Sequence, residues 1–177
     1  MCQALLALKT VHQTTFHKQI GFDSFHLSEK GELKLTNFAD FNSACPAEQV
    51  VYLAPELAAT GEEVISEDLF TSKTDIWSLG ALMYDLCCLK NREITNFHSK
   101  GTLPVIPDDY SDSLFDLISI MLSHDPTHRP EAQDLLQSVS QSPLTQEKQL
   151  MLPPSTSTAY HHFYSTLSRL GPQTCKS

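Results

Sequence analysis

The chain has 177 residues, of which 41% are apolar and 19% charged, and 12 Lys and Arg against 21 Asp and Glu leave a formal charge of −9. That length suits one domain with a real core, and the acid excess is the wrong sign for a surface that tracks nucleic-acid phosphates. No run of about 18 apolar residues exists to span a bilayer, and the first residues lack the basic start and small-residue cleavage site of a signal peptide.

Residues 3–16 predict a short helix, with Leu5, Leu8 and His12 on one face and Ala4, Ala7 and Val11 on the next. The Thr14-Thr15 pair weakens the pattern at its end. Residues 24–27 and 32–36 predict two short strands joined by a turn over 28–31, where Gly31 is free to take positive φ. In the second strand Leu33 and Leu35 alternate with polar neighbours, so one face is buried. Residues 37–55 read as a loop, and 56–60 as a short helix with Pro55 near its first turn. The acidic stretch 61–72 reads as an exposed loop. Residues 73–90 predict the strongest helix: Ile76, Leu79, Met83, Leu86 and Cys87 recur at helical spacing, and Trp77, Leu82 and Leu89 widen the apolar arc to that of a buried helix. Gly101, Pro104 and Pro107 break the loop over 91–110. Ser111 caps a helix carrying Leu114, Leu117, Ile118, Met121 and Leu122, ended by Asp125-Pro126. Pro130 opens a last helix with Ala132, Leu135, Leu136 and Val139 facing inward. After Ser140 the composition turns polar and rich in Pro, Ser and Thr, which predicts a domain over 1–140 and a disordered tail over 141–177, with at most a turn or two of docking helix at 160–170.

The five cysteines are odd in number and scattered, so they read as reduced thiols of a cytoplasmic or nuclear protein, with Cys87 and Cys88 partly buried. His17, His26, His124, His128, His161 and His162 have no partners at zinc-site spacing, and no cysteine–histidine spacing suggests a nucleophile. Neither a metal site nor covalent catalysis is expected.

Three groups of residues carry a resemblance. They are Ala54-Pro55-Glu56 preceded by Tyr52-Leu53, the run Lys73-Thr74-Asp75-Ile76-Trp77-Ser78-Leu79-Gly80, and the segment from Leu122 to Arg129-Pro130. In this order and spacing they resemble the C-terminal lobe of a eukaryotic protein kinase, over residues 3 to 140, and the stretch from Gly101 into Met121 is similar to NEK-type Ser/Thr kinases. The resemblance implies a mainly α fold with a small β-hairpin. It implies a bidentate Glu56–Arg129 pair, an Asp75 that accepts backbone hydrogen bonds from the catalytic-loop region, and a His17 that faces the core and bonds the loop after Phe38. Taken alone, Asp75 is also a carboxylate favoured by a helix N-terminus, Glu56 a surface acid and Trp77 a core residue.

Phosphoryl transfer needs a carboxylate to orient the hydroxyl, and carboxylate and amide ligands to hold Mg²⁺. Matching the hairpins lays the segment from His17 to Ser24 on the family's His-Arg-Asp-Leu-Lys-Pro-x-Asn loop. Gln19 then stands at the catalytic Asp position, Gly21 at the Lys position and Ser24 at the metal-binding Asn position. Asn37-Phe38-Ala39 falls on Asp-Phe-Gly, and Glu48-Gln49-Val50 on the usual Gly-Thr-Pro. Asp23 and Asp40 are the nearest carboxylates and are expected to be solvated rather than metal ligands. Only sixteen residues precede His17 and none of the six glycines forms a phosphate-cradling loop, so N-lobe elements are expected to be absent. The resemblance therefore implies no catalytic, cofactor-binding or metal residue. It implies a catalytically inactive, pseudokinase-like module acting through protein binding or regulation. The alternative is a Ser/Thr kinase using ATP and Mg²⁺, as a piece of a longer enzyme or an atypical form. A bare face around Phe16, Ile20, Phe25 and Phe38 is expected to be covered by a protein partner or by the tail at 160–170.

Overall fold

The computed structural model describes residues 1–38, 52–60, 65–88 and 110–141. The chain divides after Ser140 into two units, and the account below concerns the first. The expected loops over 39–51 and 91–109, the helix end at 89–90 and the tail over 142–177 lie outside the described residues.

Helix α1 runs over Cys2–Val11 and buries Ala4, Leu5 and Leu8, the face its apolar spacing predicts. It stops five residues short of the predicted end. His12 is the C-cap, with its amide still on the Leu8 carbonyl and its ring on Asp75, 63 positions away, and the Thr14 amide and hydroxyl both turn back onto the Val11 carbonyl. Such local hydroxyl bonding competes with helix propagation.

A short 3₁₀ turn, Phe22–Ser24, leads into strands β1 (Phe25–Leu27) and β2 (Leu33–Leu35). They pair antiparallel with Phe25 opposite Leu35 and Leu27 opposite Leu33. Gly31 takes φ +78° at the turn, where its amide donates to the Ser28 carbonyl. That is the left-handed conformation a side chain resists. Phe25, Leu33 and Leu35 pack on the core while His26 and Lys34 face outward. Gln3 Oε1 accepts the Leu33 N–H at 2.8 Å, so α1 closes the outer edge of β2.

Helix α2 (Pro55–Ala58) starts on Pro55 and buries Leu57. The acidic stretch is not wholly an exposed loop. Glu67–Leu69 forms a 3₁₀ turn, Phe70 behind it is buried in the core, and Ser72 already belongs to the next helix. One aromatic anchors an otherwise charged segment.

Helix α3 (Ser72–Cys87) is the centre of the fold, with Thr74 to Leu82 buried without a break. Thr71 and Thr74 exchange hydrogen bonds at its start. Helix α4 (Asp112–Met121) is capped by Ser111, whose Oγ accepts the Leu114 N–H. It packs on α3 at Gly80, where an added Cβ would stand 2.8 Å from the Met121 Cβ. α4 ends at Met121 rather than at Asp125-Pro126. Asp125 instead caps a 3₁₀ turn, Pro126–His128, by accepting the Thr127 N–H at 2.8 Å. Helix α5 (Ala132–Gln141) turns Ala132 and Leu135 into the core, with Leu136 and Val139 against it. Among the described residues the result is a mainly helical fold with one small antiparallel hairpin, consistent with the C-lobe-like architecture that the resemblance implies.

Candidate functional site

The site is built around Asp75 in the first turn of α3. Its side chain is fully buried, so its charge requires partners. Oδ2 accepts the His17 amide at 2.7 Å and faces His12 Nε2 at 3.0 Å, and Oδ1 accepts the Lys18 amide at 2.8 Å. The backbone bonds that the resemblance implied are present, and His12 adds a third contact that spacing did not suggest. Lys18 is held at φ +72°, a conformation costing a non-glycine residue about 1–3 kcal/mol. The Asp75 bond offsets that strain at the backbone. At the other end of the residue, Lys18 Nζ pairs with Glu67 Oε1 at 3.0 Å.

His17 is buried as expected, but its Nε2 meets the carbonyl of Thr36 at 2.7 Å, before Phe38 rather than after it. Its ring lies 4.7 Å from that of Phe38. β2 delivers Thr36 directly beneath the imidazole, while Phe38 is left half exposed on the ring face. Ile20 is 2% exposed and belongs to the core, so it does not contribute to a bare surface. Phe16 and Phe25 are half-buried and Phe38 is 51% exposed.

Ser24 is buried, and its hydroxyl is used twice. It donates to the Gln19 carbonyl at 3.1 Å and accepts the Gly21 amide at 3.0 Å. Asn37, at φ +57°, turns its Nδ2 donor onto the Asp23 carbonyl at 3.0 Å and onto the Asp23 carboxylate at 3.5 Å. Asp23 is exposed, as expected. Ala39, Asp40 and Glu48-Gln49-Val50 lie outside the described residues. Among the described residues no group of three or more His, Cys, Asp and Glu is placed to hold a metal ion.

Away from this loop, Arg129 is buried with each of its five N–H groups used. Nη1 and Nη2 form a fork on Glu56 Oε1 and Oε2, both at 2.7 Å. The remaining three donate to the carbonyls of Ser123, Lys73 and His124. The guanidinium lies 4.8 Å over the buried Trp77 ring. Lys73 pairs with Glu131 at 2.7 Å. Partial burial pushes the Glu131 carboxyl up, but hydrogen bonds from Lys73 and Ser72 outweigh it and hold the group below its usual range. Tyr52 is fixed through its carbonyl, which accepts from Ser78 Oγ at 2.7 Å, and through its hydroxyl, which donates to Asp85 at 2.9 Å.

A buried central helix, a carboxylate on its first turn gripping a loop, and a distant Glu–Arg fork make a framework whose parts are far apart in sequence. Residues 1–139 match the protein kinase domain. The chain belongs to the protein kinase family. Among its relatives are mouse serine/threonine-protein kinase Nek2, 31% identical over 84% of this chain and 37% of its own length, and mouse serine/threonine-protein kinase Nek3, 32% identical over 80% and 30%. Dictyostelium discoideum probable serine/threonine-protein kinase nek3 is 36% identical over 73% of this chain and 12% of its own length. The chain thus spans well under half of these relatives and is a Nek-related, kinase-like domain. In this kinase domain Glu56–Arg129 and Asp75 form the framework, and the loop from His17 to Ser24 with Asn37 forms the candidate site.

Proposed function

We propose that this chain is a catalytically inactive, pseudokinase-like module, a C-lobe that works through protein binding or regulation. The observation that carries the reading is the bonding around Ser24 and Asn37. At the family's two metal-ligand positions stand a hydroxyl already shared between Gln19 and Gly21 and an amide whose donor faces Asp23. Gln19, at the position of the catalytic carboxylate, has no group that takes up a proton near neutral pH. The partner in this reading is a protein that covers the face carrying Phe16, Phe25 and the half-exposed Phe38. The free thiols of Cys2, Cys87 and Cys88 accord with a cytoplasmic or nuclear setting.

The competing reading is a Ser/Thr kinase, the activity in the names of its relatives. A thermal-shift titration of the full chain with ATP and Mg²⁺ or Mn²⁺ separates the two. Specific binding at a hundredfold excess over Kd stabilises by about 2.7 kcal/mol, which for a chain of this size raises Tm by roughly 5–10 °C. No metal-dependent shift is expected, and a shift of that order refutes the inactive reading.

A further inference from the structure

We propose that the outer edge of β1 pairs with the same edge of a second copy of this chain, antiparallel across a two-fold axis at His26, so that two hairpins join into one four-stranded sheet. The inference stands on the backbone of the hairpin and does not depend on whether the chain transfers phosphate. The ladder between β1 and β2 is fixed at both ends: the Ser28 amide donates to the Glu32 carbonyl and the Thr36 amide to the Ser24 carbonyl, each at 2.8 Å. Bonded and unbonded rungs alternate in an antiparallel pair. With His26 opposite Lys34, the His26 rung is bonded, and the N–H and C=O of Phe25 and Leu27 point away from β2. The same alternation turns the Leu33 N–H away from β1, where Gln3 Oε1 accepts it at 2.8 Å. One edge of the sheet is thus closed by a side chain of α1. On the other edge no hydrogen bond from the described residues reaches the outward groups of Phe25 and Leu27.

An unpaired strand edge is a template for another strand, and proteins ordinarily blunt it with a lysine, a proline or a bulge. β1 has none of these: it reads Phe25-His26-Leu27 and pairs in register throughout. Symmetry selects the occupant. When a second β1 lies antiparallel on this edge with His26 on the axis, Phe25 of each copy exchanges N–H···O bonds with Leu27 of the other. All four outward groups of each strand are then matched. The same register continues the hairpin's two apolar rows, Leu35–Phe25 and Leu33–Leu27, into the second copy, and aromatic–aliphatic pairs on one face stabilise a sheet. No Lys, Arg, Asp or Glu stands on either strand to oppose the contact. Such an isologous contact closes at two copies, and the edge of β2 covered by Gln3 offers no strand for further growth.

Sedimentation and amide hydrogen exchange on the full chain, from micromolar to near-millimolar concentration, test the pairing. The chain is expected to pass from monomer to dimer, and the Phe25 and Leu27 amides to slow as it does. The His26 amide, bonded within the hairpin, stays protected throughout. Leu27→Pro deletes one outward N–H from each copy, at an edge position that tolerates proline. It is expected to weaken the dimer roughly thirtyfold for the two bonds lost. Leu27→Thr keeps the amide and suits a strand, and is expected to dimerise within about threefold of the parent. His26→Glu sets a carboxylate beside Lys34 in each hairpin but two carboxylates opposite each other across the axis. It leaves every backbone donor in place and is expected to weaken the dimer by up to about fivefold. The proposal is overturned if the chain is monomeric throughout, or if Leu27→Pro and His26→Glu both dimerise as the parent does. It is also overturned if Phe25 and Leu27 are already protected in the dilute monomer, which would put a segment of the same chain on this edge.

Discussion

Glu56→Ala isolates the energetics of the framework. It removes both acceptors of the fork on Arg129, leaving a guanidinium that is 1% exposed with two unmet charged donors and no counter-charge. Breaking a buried pair from one side costs about 3–5 kcal/mol. The Glu56 side chain is 29% exposed, so water can reach part of the vacated space, which argues for the lower end, about 3 kcal/mol. With a urea m-value of about 2 kcal/mol/M for a domain of this size, the midpoint should fall by about 1.5 M. The single tryptophan, Trp77, lies under the guanidinium, so its fluorescence reports both unfolding and any local release of Arg129. Arg129→Met should cost more, because it orphans the Ser123, Lys73 and His124 carbonyls as well as Glu56. A Glu56→Ala midpoint within about 0.3 M of the parent, with m unchanged, would refute the view that this pair is a buried constraint rather than a surface contact.

Gly80→Ala should destabilise, although alanine is ordinarily the better helix former by about 1 kcal/mol. The new Cβ meets the Met121 Cβ at 2.8 Å, and overpacking costs about 1–3 kcal/mol; since Met121 Cβ remains in Met121→Ala, that second change should not rescue the thermal midpoint. The Glu131 carboxyl is held below its usual range. Its contribution to stability is therefore present above the ordinary glutamate value near 4.3 and is lost as pH falls through the depressed value. Denaturation midpoints from pH 6 to 2.5 should show a shallower acid decline for Glu131→Gln than for the parent. Burial, with a smaller effect from Cys88 beside it, pushes the Cys87 thiol up to about 11. At pH 8 its thiolate fraction is then on the order of 10²-fold below that of a free cysteine. Mapping of iodoacetamide adducts on the native chain should find Cys87 labelled far more slowly than in the unfolded chain.

What the sequence made legible was whatever depends on near neighbours. Ser111 as a cap, Gly31 at positive φ, Pro55 at a helix start and the arc from Ile76 to Leu86 all follow from local sterics or periodicity. The framework residues Glu56, Asp75 and Arg129 were reachable only through resemblance, because nothing in spacing joins positions 57 to 73 residues apart. The departures have the same origin. α1 ends early because His12 is claimed by Asp75, and Phe70 is buried inside a charged stretch because one aromatic suffices to anchor it. Ile20 is in the core although its segment has no period. Asn37 belongs to a residue type that tolerates left-handed backbone, so its φ was within reach of a sequence argument. Lys18 does not, and its amide is held by the buried Asp75 carboxylate.

That contrast bears on why a framework can outlast a site. A carboxylate or guanidinium in the core constrains every position around it. Asp75 has three donors arriving from two segments, and Arg129 has five N–H groups matched to four residues. Substituting either leaves a charge or several carbonyls stranded, at a cost that is a large fraction of a domain's total stability. The loop residues Asp23 and Asn37 are not constrained in that way: both are exposed, and their bonds to each other can be replaced by water. Ser24 is the exception, being buried, and there the hydroxyl is satisfied within the loop itself. Selection on folding alone is therefore sufficient to hold Glu56, Asp75 and Arg129 in place, while the exposed loop positions are held only by chemistry. For that reason the framework is evidence of family, and the question of activity rests on the loop.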